Sequence, residues 1–134
     1  MAISIRTAIC ILLPGDRIVL QFRDEKAHTY PLSFTNWGGD VEEGETALEC
    51  ACRELEEELD IRVNPAEMIF ICTDTFTGAP RDIFLLRKDI QLSDLRLGEG
   101  GGFVCVPRTE IGVIPSNDIL KNDIEKLNNY LSSP

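Results

Sequence analysis

GDVEEGETALECACRELEEELDI, residues 39–61, carries ten carboxylates against a single base, Arg53, and so holds nearly all of the chain's formal charge of -10. The stretch begins at a glycine and runs into a helical pattern. Thr46 followed by Glu49 is a capping-box signature, in which a hydroxyl and a carboxylate satisfy each other's backbone N–H groups. Leu48, Ala51 or Cys52, Leu55 and Leu59 recur at helical spacing and predict a buried stripe. Glu54, Glu57 and Glu58 stand at i, i+3 and i+4, so they share another face of the same helix. Asp60 falls where a helix commonly ends on glycine, and Asp tolerates the left-handed conformation better than most residues. Acids packed this densely repel one another unless a cation sits among them. A hard divalent metal, which prefers carboxylate oxygens, is the natural candidate.

Outward from this helix, the 134 residues predict one domain, residues 1–134, with enough chain for a core. Upstream, Ile3 to Leu13 reads as a buried strand, Pro14-Gly15-Asp16 as a turn, and Arg17 to Arg23 as its hairpin partner with Ile18, Leu20 and Phe22 on one face. Residues 24–36 read as a loop, and Trp37-Gly38-Gly39 as a sharp turn or a close backbone approach. Downstream, short strands are predicted at Ile61–Val63, Met68–Thr73, Ile83–Arg87 and Phe103–Val106. A last helix opens at Pro115-Ser116-Asn117, with Ile119, Leu120, Ile124, Leu127 and Leu131 as its apolar face.

The acidic balance argues against a protein that grips nucleic acid through a basic face. A phosphorylated small molecule stays compatible, because bound metal reverses the local sign. Five scattered cysteines suggest reduced thiols and a cytoplasmic protein. Cys50 and Cys52, two apart on a helix, point away from each other and read as small core residues. The apolar run from Ala8 to Leu13 lacks the features of a signal peptide, and no stretch is long enough to span a membrane.

The pattern Gly39, Glu45, Arg53, Glu54, Leu55, Glu57, Glu58, Ile61 resembles the Nudix box, G-x5-E-x7-R-E-U-x-E-E-x-G-U with U a bulky aliphatic residue. Asp60 replaces the second glycine, and Trp37 stands where many members carry the proline of Pro-Gly-Gly. The resemblance implies an α/β chain with the Nudix fold, a mixed β-sheet sandwiched between α-helices. It further implies a MutT-like enzyme that hydrolyses a nucleoside diphosphate linked to another group X, with Mg2+ or Mn2+ as cofactor. By matching positions, Glu54, Glu57 and Glu58 are the metal ligands, the carbonyl of Gly39 adds a further donor, and Glu45 supports the site or a second metal. Arg53 orients the carboxylates by a salt bridge.

Outside the box the resemblance offers Glu99, in the Gly-rich loop 98–102, as a metal ligand or general base, against a solvated loop acid. Arg23 is offered as a phosphate contact, against a surface salt bridge. Asn117 is offered as a reader of the purine edge, against a helix N-cap, which the sequence favours. Trp37, Tyr30 and Phe34 read as anchors more than as stacking partners, His28 as a loop residue, and Arg81 and Arg87 as strand-edge charges. The expected partner is a small nucleotide, with a homodimer left open. A nucleoside triphosphate, with an oxidised purine among the options, is favoured over a nucleotide sugar or ADP-ribose. A non-catalytic nucleotide-binding regulatory module is the rival class, and it predicts loss of the metal-ligand acids that this chain retains.

Overall fold

The computed structural model describes residues 5–98 and 101–133. Seven strands form one mixed sheet among the described residues: β1 (Thr7–Leu12), β2 (Arg17–Arg23), β3 (Ser33–Thr35), β4 (Trp37–Asp40), β5 (Ile69–Asp74), β6 (Arg81–Leu86) and β7 (Gly102–Pro107). Two helices flank it, α1 (Ala47–Leu59) and α2 (Asp118–Ser132).

Period-two alternation divides the core. Ile11 of β1, Ile18 and Leu20 of β2, and Ile83 and Leu85 of β6 face α2, where Leu120 and Leu127 meet them. Cys10 and Leu12, Val19, and Leu86 face the other way, onto Leu55 and Leu59 of α1. Ala8 and Phe84 extend that second layer against Cys50 and Ala51. The sheet is thus sandwiched between the two helices. The stripe expected for α1 is the buried one, with Cys52 half-buried beside it.

The topology creates the cleft. β1 pairs with β6 in parallel along its whole length, from Thr7↔Arg81 to Leu12↔Leu86. Its other edge is shared: β4 takes Thr7 to Cys10, and β2 meets it only at Leu12↔Val19. β2 turns its remaining length to β3 and β7. β1 and β2 therefore splay apart like a fork, and the chain crosses from one tine to the other at Asn36, between β3 and β4.

Three sequence expectations change here. Trp37-Gly38-Gly39 is a strand instead of a turn, because the close approach is to β1. A Cβ on Gly38, which has φ +146°, would lie 2.1 Å from the carbonyl oxygen of Ala8. Ser33–Thr35 adds a strand inside the expected loop. Ile61–Val63 forms no strand, since the Ile61 N–H is taken by the Leu55 carbonyl at the helix end.

Candidate active site

α1 is built to hold still at both ends. Thr46 Oγ1 accepts the Glu49 N–H at 3.1 Å and Glu49 accepts the Thr46 N–H at 2.9 Å, completing the expected capping box. At the other end Asp60 adopts φ 57°, ψ 35°, the left-handed cap. Gly98 lies across this end: its N–H donates to the Glu58 carbonyl at 2.8 Å, and a Cβ there would meet the Glu57 carbonyl at 2.1 Å.

Glu58 points inward from this anchored turn and is almost fully buried. One of its oxygens accepts from Gln21 Nε2 at 2.7 Å and the other from the Gly38 N–H at 3.3 Å. Burial, then the charge of Glu54, pushes the Glu58 carboxyl up to about 8, against those two hydrogen bonds. Burial also raises Glu54, with the charge of Arg53 opposing. The backbone of Gly39 lies directly on that carboxylate, so a Cβ there would stand 2.4 Å from Glu54 Oε1.

Arg53 is the hub of the remaining acids. It grips Glu45 with Nε at 2.7 Å and Nη2 at 3.0 Å, a bidentate pair, while Nη1 reaches Glu54 at 3.1 Å and Glu57 at 3.2 Å. The hydrogen bond from Arg53, helped by the Glu42 N–H, holds the Glu45 carboxyl down at about 2. Glu57 is 58% exposed and turned toward Arg53. Among the described residues no three His, Cys, Asp or Glu side chains already converge as a ligand set. The donors nonetheless fit a hard divalent cation. Two carboxylates with raised affinity for protons sit together against a glycine backbone, and a cation there would relieve both desolvation and repulsion.

A cavity of about 300 Å3 opens beside Glu58, lined by Gln21, Gly38, Arg23, Asp24, Lys26 and His28 among others. Arg23 lines this cavity, held by bonds to Thr29 O at 2.7 Å and Thr29 Oγ1 at 3.1 Å. Asn117 does not face this space. Its Oδ1 caps α2 through the Leu120 N–H at 2.8 Å, and its Nδ2 donates to Ser33 Oγ and the Phe34 carbonyl. With its amide spent on the cap, the favoured reading, it has no donor–acceptor pair left for a base. Glu99 lies outside the described residues.

Sequence reasoning passed over Gln21, Lys26 and the role of His28 as a wall of the cavity. Gln21 carries a signal: alternation in β2 puts it on the face of Val19, toward α1. Arg81, expected as a strand-edge charge, is instead 1% exposed in the paired strand β6 and bound to Asp74 and Asp123. A run such as Arg-Asp-Ile-Phe-Leu-Leu hides this, because only the tertiary pairing puts its first residue inside.

Solved structures share this fold. The MutT NUDIX hydrolase from Burkholderia pseudomallei superposes with a TM-score of 0.77 at 18% identity, covering 94% of this chain and 99% of that one. The Escherichia coli dihydroneopterin triphosphate pyrophosphohydrolase gives 0.72 at 18%, covering 96% of each chain. The NUDIX domain of Shewanella oneidensis NrtR, complexed with ADP ribose, gives 0.80 at 15%, covering 98% and 91%. No curated protein sequence matches significantly. The sequence model of the NUDIX domain matches residues 4–92, well over half of the chain, and the chain belongs to the Nudix hydrolase family, which acts on pyrophosphate bonds.

Proposed function

We propose that this protein is a Mg2+- or Mn2+-dependent pyrophosphohydrolase that cleaves a nucleoside diphosphate linked to X, with a nucleoside triphosphate as the favoured substrate. The observation that carries this reading is a cavity that brings buried Glu58 together with Arg23 and Lys26, with Asp24 and His28 also in its lining, next to the Glu54 carboxylate covered by Gly39. A buried acid in the same cavity as Arg23 and Lys26 suits a polyphosphate seated beside a cation. Glu54, Glu58 and the Gly39 carbonyl would hold the metal, joined by Glu57 once its side chain leaves Arg53. Glu45 keeps Arg53 in place and so sets the spacing of the acids. Bound metal would polarise a phosphoryl oxygen and lower the pKa of its water.

The chain's own groups do the rest. Gln21 and the Gly38 N–H orient Glu58. Arg23 and Lys26 meet the charge on the departing phosphate, and Glu99 is proposed as a further ligand or base. ADP ribose on the NrtR domain keeps ADP-ribose or a nucleotide sugar as the second reading.

The test is release of phosphate products from nucleoside di- and triphosphates, nucleotide sugars and dinucleotides with Mg2+. Glu57→Gln and Glu58→Gln are each expected to lose about 10^2–10^3-fold in kcat, as electrostatic groups at a reacting centre do. A wild-type protein that turns over nothing, indistinguishable from Glu57→Gln, removes the enzyme reading.

A further inference from the structure

Glu58 is gripped from two strands that do not pair with each other. Gln21 Nε2, on β2, donates to one carboxylate oxygen at 2.7 Å, and the Gly38 N–H, on β4, donates to the other at 3.3 Å. Among the described residues β2 pairs with β1, β3 and β7, and β4 pairs with β1. No main-chain ladder therefore fixes the spacing between the two donors. A carboxylate held from two sides is only as well placed as the distance between its holders.

Trp37 supplies a direct link between them. Its indole Nε1–H donates to the Val19 carbonyl of β2 at 2.9 Å. Val19 is the residue where β2 meets β1, and it stands two positions before Gln21, on the same face of the strand. Trp37 itself immediately precedes Gly38. The bond thus joins β4 to β2 right beside both holders of Glu58. The ring is fully buried, in the core layer that contains Leu55 and Leu59 of α1, so it also packs with the helix that carries Glu58. A buried indole needs an acceptor somewhere. What singles out this acceptor is its place between the two grips on one carboxylate. Trp37 does not line the cavity beside Glu58, so it acts only through its neighbours. A proline at this position, as in Pro-Gly-Gly, has no side-chain donor and could not make the bond.

We propose that Trp37 is a positioning residue: by bonding β4 to β2 it sets the distance between Gln21 and the Gly38 N–H, and so holds Glu58 where it binds the divalent cation. The proposal rests on the reading of Glu58 as a metal ligand. Groups that orient a ligand without touching the metal typically govern its affinity by about 10–100-fold. Trp37 stands one step further out than Gln21, so its effect belongs at the lower end of that range.

The readout is Mn2+ binding to the full chain without nucleotide, followed by the electron paramagnetic resonance signal of the free ion. Trp37 is the chain's one tryptophan, so 3-benzothienylalanine replaces it alone, with sulfur in place of the N–H and nearly the same shape. That protein and Trp37→Phe are each expected to bind Mn2+ about 10-fold more weakly. Leu127→Ala, in the core layer on the other side of the sheet, is expected to lower the melting temperature at least as much and to leave Mn2+ affinity unchanged. Added to Gln21→Leu, Trp37→Phe is expected to cost less than about 2-fold more, because with one holder gone the spacing between two no longer matters. The assignment is overturned by Mn2+ affinity that neither replacement of Trp37 moves, by an equal loss in Leu127→Ala, or by full additivity in the double variant. A wild-type chain that binds no Mn2+ overturns the metal-ligand reading of Glu58, and the brace with it.

Discussion

Gln21 illustrates how much of this site depends on a side chain outside the acidic helix. It comes from β2, yet its amide fixes the buried oxygen of Glu58 at 2.7 Å, and it lines the cavity beside that carboxylate. Partners of this kind typically govern metal affinity by about 10–100-fold without touching the metal. Gln21→Leu, close in shape but without the amide, is therefore expected to raise the Mg2+ concentration needed for half-maximal activity by that factor. A Mg2+ titration of turnover decides it, and an unchanged half-saturation would show that Glu58 is held by the Gly38 N–H alone. Arg53 acts differently, since it binds three acids at once, with a bidentate pair to Glu45.

At the level of elements, α1 joins two roles in one rod. One face buries Leu55 and Leu59, and the adjoining face carries Glu54, Glu57 and Glu58. The rod's weak point is its last residue, because Asp60 occupies a left-handed conformation that suits glycine. Asp60→Gly is expected to stabilise the protein by about 0.5–1 kcal/mol, the relief of a non-glycine residue in that region, read as a higher melting temperature. A lower melting temperature would mean that Asp60 makes a contact worth more than the strain. This helix was legible in the sequence from cap to cap, because its signals are local: Thr46 with Glu49, a 3.6-residue stripe, a polar terminator. The strands on either side of the Pro14-Gly15-Asp16 turn were legible for the same reason, although they pair only at Leu12↔Val19. The fork was not. Gly38 and Gly39 read as a sharp turn or a close approach to a ligand because nothing near them in sequence announces that β1 lies against them. Arg81 read as a strand-edge charge, and Asn36 and Asp123 drew no notice, because their burial is created by strands and a helix far apart along the chain.

For the molecule as a whole, two sets of buried charge pull stability in opposite directions with pH. Burial pushes Asp74 up, but its bonds from Arg81 and Asn122 outweigh that and leave it at about 2. The hydrogen bond from Arg6 likewise lowers Asp82. A lowered carboxyl contributes stability above its unfolded value, near 3.9, and that contribution is lost as pH falls toward about 2. Glu58 has the reverse sign. Raised to about 8, it binds a proton in the folded state that the unfolded chain has released, so metal-free stability falls as pH rises from about 4.5 to about 8. Thermal melts in EDTA are expected to peak between these limbs. Added Mg2+ should recover the loss at pH 8 far more than at pH 5, and Glu58→Gln should flatten the upper limb. Melting temperatures that stay level from pH 5 to 8 without metal would show that Glu58 is ionised at little cost. Among the described residues no helix is long and apolar enough to cross a membrane.

The fork has a consequence for how this protein could acquire new substrates. β1 and β2 touch at a single residue pair, and their separation is held by main-chain ladders to β3, β4, β6 and β7. The width of the gap is then a property of the backbone, indifferent to which side chains line it. Side chains lining the gap can then vary without moving the strand that carries Gly38 and Gly39 against Glu58 and Glu54. The acids ride on α1 while the gap belongs to the sheet, so one can vary while the other stays in place.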